Sequence, residues 1–271
     1  MEKFQLTTFL EMEGLGSASG LVFKDNSLYI ISDNSGFLYE YKIDTEVLHQ
    51  HRLIQNSSEN ILKKNKPDFE AIALKGNELH IFGSGSTEKR NRTFIFDIKT
   101  NSVSEETLAP LYQKIKQSVG ISDDELNIEG ALFYKNDLYL FQRGNGFNSK
   151  NGIVKIDPNN SIEFQSMVLP KIKHVEATFT DAIVVEDKIY FLAAAEDTIS
   201  TYEDGEILGS IIGCMNIVTF EIDFTHEISS QHKFEGLTLY KNSENKIEFL
   251  LCEDNDTEAL ESKIYKITLE N

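Results

Sequence analysis

Apolar residues along this chain come in short bursts that recur, and each burst follows a polar turn. The bursts are LYIIS (28–32), LHIFG (79–83), LYLFQ (138–142), IYFLA (189–193) and IEFLL (247–251). The turns ahead of them are KDNS (24–27), KGNE (75–78), YKND (134–137), VEDK (185–188) and KNSENK (241–246). An apolar strand also precedes each turn, so every unit predicts a β-hairpin. A third strand is expected at FLYEYKI (37–43), RTFIFDI (92–98), GIVKIDP (152–158), NIVTFEI (216–222) and KIYKITL (263–269). A more polar fourth strand follows four of the five, as in VLHQHRLI (47–54) and SIEFQSMVL (161–169). Aromatic and β-branched residues alternating with polar ones suit sheet faces buried on one side or both.

The units open on one motif, a small or acidic residue followed by Gly or Ala: Ser19-Gly20, Glu70-Ala71, Glu129-Gly130, Asp181-Ala182 and Glu235-Gly236. The second residues fall at 20, 71, 130, 182 and 236, giving spacings of 51, 59, 52 and 54. A period of that size with four strands per unit predicts an all-β, five-bladed β-propeller forming one domain over residues 1–271. The last unit lacks a fourth strand, whereas FQLTTFL (4–10) stands alone before the first. That orphan is expected to close the ring as the outer strand of the last blade. Two stretches read as short helices, Ser57–Lys66 and Leu108–Val119, the second with Leu108, Leu111, Ile115 and Val119 at helical spacing. Asp197–Ser210 reads as an acidic insertion in the fourth unit, placed to form a rim or lid.

Composition narrows the partners. The 26 Lys and Arg against 44 Asp and Glu give a net charge of −18. Nucleic acid and anionic membrane both need a cationic footprint, so neither is an expected partner. No apolar run approaches the length of a membrane span. The two cysteines, Cys214 and Cys252, form no disulfide framework or metal-type pair and read as reduced core residues. With no secretory leader visible, a cytoplasmic setting is expected, unless a signal peptide has been removed. Phosphate-loop, dinucleotide and nucleophile-elbow motifs are missing, and the histidines lack metal spacing, so no nucleotide, haem or zinc is expected.

The repeat itself supplies the candidate site. In a propeller the equivalent openings of the first strands gather at one end of the central axis. Ser19, Glu70, Glu129, Asp181 and Glu235 are thereby expected to converge. Like charges in partly dehydrated space raise one another's pKa unless a cation sits among them. Glu70, Glu129, Asp181 and Glu235 are therefore candidate ligands of a hard cation, Ca²⁺ or Mg²⁺. An alternative makes the repeated acid a device of the fold that accepts backbone N–H groups of the neighbouring blade.

The ends of the second strands return to the same mouth with Asp33-Asn34, Ser84-Gly85-Ser86, Gln142-Arg143-Gly144-Asn145, Glu196-Asp197 and Glu253-Asp254-Asn255. From these, Arg143, Asn145, Asp33, Asn34 and Asp254 are candidate substrate-binding residues. Arg143 is placed either to pair with Glu129 or Glu70, or to hold an anionic group bidentately. Glu88, Lys89 and Arg90 add charges of both signs, and Asp68, Asp124 and Glu176 are expected to extend the acidic rim.

The pieces Phe69-Glu70-Ala71, Ile128-Glu129-Gly130 and Phe234-Glu235-Gly236-Leu237 resemble the strand openings of two bacterial propeller groups, the SdiA-regulated proteins and the esterase-like phytases. The resemblance implies a propeller and, with it, calcium or a phosphorylated or ester substrate. Two readings follow. One is a module that binds a small molecule or protein at an acidic central mouth. The other is a divalent-metal-dependent hydrolase of a phosphoester or ester, phytase-like or lactonase-like.

Overall fold

The computed structural model describes residues 4–146, 148, 150–198, 205–254 and 259–270. The chain opens with β1 (Phe4–Glu13). Blade one is β2 (Ala18–Lys24), β3 (Ser27–Ser32), β4 (Phe37–Lys42) and β5 (Val47–Arg52), and blade two is β6 (Phe69–Lys75), β7 (Glu78–Gly83), β8 (Arg92–Asp97) and β9 (Ser102–Thr107). Helix α1 (Ala109–Val119) leads to blade three, which is β10 (Ile128–Tyr134), β11 (Asp137–Gln142), β12 (Gly152–Ile156) and β13 (Ile162–Ser166). A small hairpin, β14 (Lys171–Ile172) with β15 (Val175–Glu176), precedes blade four: β16 (Thr178–Val185), β17 (Lys188–Asp197), β18 (Glu206–Asn216) and β19 (Ile222–Ser229). Blade five is β20 (Phe234–Ser243), β21 (Lys246–Glu253), β22 (Glu261–Glu270) and, outermost, β1. All five sheets are antiparallel and four-stranded. The first strands β2, β6, β10, β16 and β20 each touch the first strands of both neighbouring blades, so the ring is closed.

The apolar bursts are the second strands, and they are nearly continuous because both their faces are buried. In β3, Leu28 and Ile30 pack toward blade five, while Tyr29 and Ile31 pack toward blade two. In β21, Ile247, Phe249 and Leu251 face blade four, and Leu250 and Cys252 face blade one. The core is thus five wedges between blades rather than one centre. Phe179 anchors the wedge between blades three and four, with Phe141 and Phe191 set edge-on at 5.2 and 5.3 Å. In the first hairpin Asp25 and Asn26 take φ of 49° and 61°, the left-handed pair that suits a tight two-residue turn.

Three sequence expectations are corrected. Ser57–Lys66 is a run of bends and turns, not a helix. It has no apolar stripe, Asn56 and Asn60 sit at positive φ, and its backbone is tied to blade one through Ile61 N–H to Asn34 O at 2.7 Å. In blade four the third strand is Glu206–Asn216, and NIVTFEI is mostly the turn after it. The supposed insertion is therefore largely a long hairpin arm, paired as far as Asp197 with Glu206; residues 199–204 lie outside the described residues. Third, Thr180 rather than Asp181 holds the position of Ser19, Glu70, Glu129 and Glu235, as the pairing register shows.

The helix at Leu108–Val119 does form. It ends on Gly120 at φ 72°, and Tyr112 reaches from it to donate to Gly83 O at 2.7 Å. Both cysteines are buried free thiols, and among the described residues no helix is long and apolar enough to cross a membrane.

Strand β1 pairs with β22 from Phe4 opposite Leu269 to Glu13 opposite Glu261, with a bulge at Phe9. It seats Leu6 in the wedge against blade four and Met12 in the wedge against blade one. Deleting residues 1–10 is expected to strip most of this ladder and expose the edge of β22. Calorimetry should then show loss of a cooperative transition, or aggregation. A truncated chain that melts like the intact one would contradict the closure.

Candidate functional site

A β-bulge interrupts every first strand at the same point. The residue left without a cross-strand partner is Ser19, Glu70, Glu129, Thr180 or Glu235. Bulges bend a strand and re-aim its side chains, and two of the five, Ser19 and Thr180, reach the neighbouring blade. Ser19 Oγ donates to Phe69 O at 2.5 Å, and Thr180 Oγ1 donates to Phe234 O at 2.7 Å, each reaching the carbonyl just ahead of the next blade's bulge. The other three positions carry carboxylates.

A small residue follows the bulge because the first strands approach closely. A Cβ at Gly130 would lie 3.0 Å from Asp181 Cα, and one at Gly236 would lie 2.9 Å from Gly20 Cα. Asp181 occupies this small-residue position in blade four, so it does not join the other acids. Its Oδ1 accepts the Ala182 N–H and its Oδ2 accepts the Leu237 N–H of blade five, both at 2.7 Å. Burial pushes its carboxyl up, and those two donors pull it back. This acid therefore accepts one backbone N–H of its own strand and one of the neighbouring blade.

Around the three glutamates the mouth is built from ion pairs. In the half formed by blades three, four and five, Arg143 Nη1 meets Glu129 Oε1 at 3.3 Å and Nη2 meets Glu196 Oε2 at 2.5 Å. Asn127 Nδ2 donates to Glu129 Oε1 at 2.6 Å. Lys233 Nζ lies 2.8 Å from Glu235 Oε1 and 3.7 Å from Glu196 Oε2. Burial alone raises the Glu196 carboxyl, but Arg143, Lys233 and the Gly205 N–H overcome it and hold it at about 2. Burial likewise opposes the Lys233 charge, yet Glu235 and Glu196 keep the ammonium protonated well above its usual range.

In the half formed by blades one and two, Lys66 pairs with Asp33 and, at 2.9 Å, with Asp68 Oδ1. Arg90 reaches Asp68 Oδ2 at 2.8 Å, and Ser84 donates to the same oxygen. Burial pushes Asp33 up to about 6, Asp254 and Asp68 add to the rise, and Lys66 opposes it. Burial also lifts the Glu70 carboxyl well above its usual range, with repulsion from Asp68, Glu129 and Glu235, while the Lys66 ammonium opposes the rise. Glu70 keeps partial solvent contact and makes no hydrogen bond or ion pair among the described residues.

Among the described residues, Asp33, Asp68, Glu70, Glu129, Glu196, Glu235 and Asp254 thus supply seven carboxylates, against four cations from Lys66, Arg90, Arg143 and Lys233. Among the described residues, two buried polar atoms in this network have no hydrogen-bond partner, Asp33 Oδ1 and Arg143 Nε.

The two layers expected from sequence do meet at one mouth, and Arg143 pairs with Glu129 and Glu196 rather than Glu70. The four-acid cation site is not assembled as expected. Among the described residues the group whose oxygens lie within 4.8 Å of one another is Asp33, Asp68 and Glu70, spaced to hold a metal ion. Glu129 and Glu235 are engaged by Arg143 and Lys233.

Asn34 accepts from Ser32 Oγ at 3.0 Å, and Asn145 accepts from Asn127 at 3.4 Å. Glu253 is held by His232 and Tyr265, and Asn255 lies outside the described residues. Asp124 is exposed on a turn, and Glu176 pairs with Lys171 in the small hairpin. Lys66 and Lys233 were missed. Each lies a few residues ahead of a first strand, four before Glu70 and two before Glu235, and a lysine close ahead of a strand opening was the available signal.

The depressed Glu196 carboxyl fixes the sign of one pH effect. Its folded pKa lies below the unfolded value, so its stabilisation is present above the ordinary carboxylate range and is lost as pH falls toward 2. Over that window the loss is on the order of 3 kcal/mol. Glu196→Gln should lower stability at neutral pH and flatten this acid limb in denaturant titrations. An unchanged limb would show that Glu196 is not held ionised by Arg143 and Lys233.

A search of curated proteins finds no relative. Among solved structures the chain is similar to glutaminyl cyclase of Myxococcus xanthus, with a TM-score of 0.57, 10% identity, and coverage of 98% of this chain and 96% of that one. It is also similar to an auxiliary nutrient binding protein from Bacteroides thetaiotaomicron, with a TM-score of 0.50, 12% identity, and coverage of 100% and 78%. At such identities the likeness is one of fold. A family model matches residues 14–269, nearly the whole ring, and the chain belongs to that family, the family of unknown function DUF6929.

Proposed function

We propose that this protein is a binding module that holds a small, positively charged ligand in the acidic mouth of its propeller. The observation that carries the reading is Glu70. Among the described residues the mouth's carboxylates exceed its cations, and Glu70 is the acid of the bulge ring that keeps partial solvent contact and makes no hydrogen bond or ion pair. A net charge of −18 draws cations toward the surface and disfavours polyanions. The two buried thiols suit a reducing, cytoplasmic setting.

Titration calorimetry at fixed ionic strength, with CaCl₂, MgCl₂ and putrescine, tests the reading. At least one cation should bind once per chain, and Glu70→Gln should weaken it by about tenfold or more, the loss of a charged contact worth ~1.4 kcal/mol. Glu163→Gln, at an exposed site on the outer strand of blade three, should leave it unchanged. No binding, or equal binding by Glu70→Gln, would overturn the reading.

The hydrolase reading has one structural observation in its favour, the spacing of Asp33, Asp68 and Glu70. The resemblance of Phe69-Glu70-Ala71 and its counterparts to esterase-like phytases supports it too. A divalent ion held there would supply Lewis acidity toward a phosphoryl or acyl oxygen. Calcium-dependent hydrolysis of p-nitrophenyl phosphate or acetate, lost in Glu70→Gln, would favour this reading over simple binding.

A further inference from the structure

The mouth already shows which kind of cation it accepts. Its two halves are neutralised by lysine ammonium groups carried just ahead of first strands, Lys66 on Asp33 and Asp68, and Lys233 on Glu235. Both are monocations that donate directed N–H bonds to single carboxylate oxygens. What remains unfilled beside Lys66 is a matching set of acceptors. Asp33 is only 8% exposed, yet its Oδ1 accepts no hydrogen bond among the described residues. Leaving a buried charged acceptor unsatisfied is unfavourable, so the atom points to a donor supplied from outside the chain. Glu70, in the same cluster and partly exposed, offers a further carboxylate that makes no hydrogen bond or ion pair among the described residues.

We infer that the ligand of the mouth is a primary organic ammonium, its N–H groups donated to Asp33 Oδ1 and Glu70 beside the ammonium of Lys66. The inference rests on the binding reading above and names the class of ligand. A divalent ion fits less well on two grounds. Calcium takes six to eight oxygens at about 2.3–2.6 Å, and magnesium demands an octahedron. The cluster offers three side chains, two of which are already engaged by Lys66. A divalent metal ion would also place two charges directly beside the fixed Lys66 ammonium, where each ammonium group of an organic amine places one. A quaternary ammonium is excluded by different chemistry: it has no N–H to satisfy Asp33 Oδ1. Such ligands are recognised by aromatic faces, whereas the charged groups of this mouth are flanked by Ser84, Ser86 and Asn127.

Calorimetry on the full chain with putrescine, tetramethylammonium chloride and CaCl₂, each at millimolar concentration and equal ionic strength, decides the matter. Putrescine should bind once per chain, with tetramethylammonium and calcium at least tenfold weaker. Asp33→Asn and Glu70→Gln should each weaken putrescine by tenfold or more. If Asp33→Asn does not fold, the partly exposed Glu70→Gln variant carries the test alone. Calcium binding without putrescine binding would leave the binding reading standing and overturn the ammonium assignment. Equal binding of putrescine and tetramethylammonium would overturn it as well. Silence from all three probes would overturn both.

Discussion

Everything at the mouth of this propeller follows from one constraint: of the five bulge residues three are glutamates, and they lie close enough to repel one another. Carboxylates gathered in a space with little water repel one another strongly unless opposite charges enter the same space. The chain meets this with lysines and arginines from outside the first strands. Arg143 comes from the end of β11, Lys233 from the approach to β20, and Lys66 from the approach to β6. Ion pairs of this kind are not strong net stabilisers, because desolvating both partners offsets most of their attraction. Their effect is asymmetric: removing one partner leaves the other charged, buried and unpaired, typically a loss of about 3–5 kcal/mol.

The neutralisation is unequal around the ring, and the inequality is what makes a site. Blades three to five hold a closed chain of contacts from Glu129 through Arg143, Glu196 and Lys233 to Glu235. Blades one and two hold Asp33, Asp68 and Glu70 with Lys66 and Arg90, and among the described residues Glu70 is the one of the three acids without an ion pair. Where the bulge residue is a hydroxyl, as at Ser19 and Thr180, it bonds the neighbouring backbone. The same position therefore closes the ring in two blades and supplies charge in three.

The blade count, the hairpins and the closing strand were legible because they depend on local turn chemistry and on strands buried on both faces. The site was legible only in part. Repeat alignment found Glu70, Glu129 and Glu235, but slipped by one residue in blade four. Asp181 resembles the acid of the other repeats, while the residue at the bulge is Thr180. A bulge adds a residue without changing composition, so only pairing register reveals it. Lys66 was hidden in a polar run that reads as a helix by propensity, and its pairing with Asp33 and Asp68 joins residues that sequence proximity alone does not connect. Long-range neutralisation of this kind leaves little local trace.

The central claim is that the carboxylates and the internal cations stabilise each other as one network. A double-mutant cycle on Arg143→Met and Glu196→Gln, read by denaturant unfolding at neutral pH, tests it most directly. Each single change should be strongly destabilising, and the double variant should recover much of the loss, with a coupling of roughly 2–3 kcal/mol. Additive effects, with no coupling between the two positions, would contradict the account.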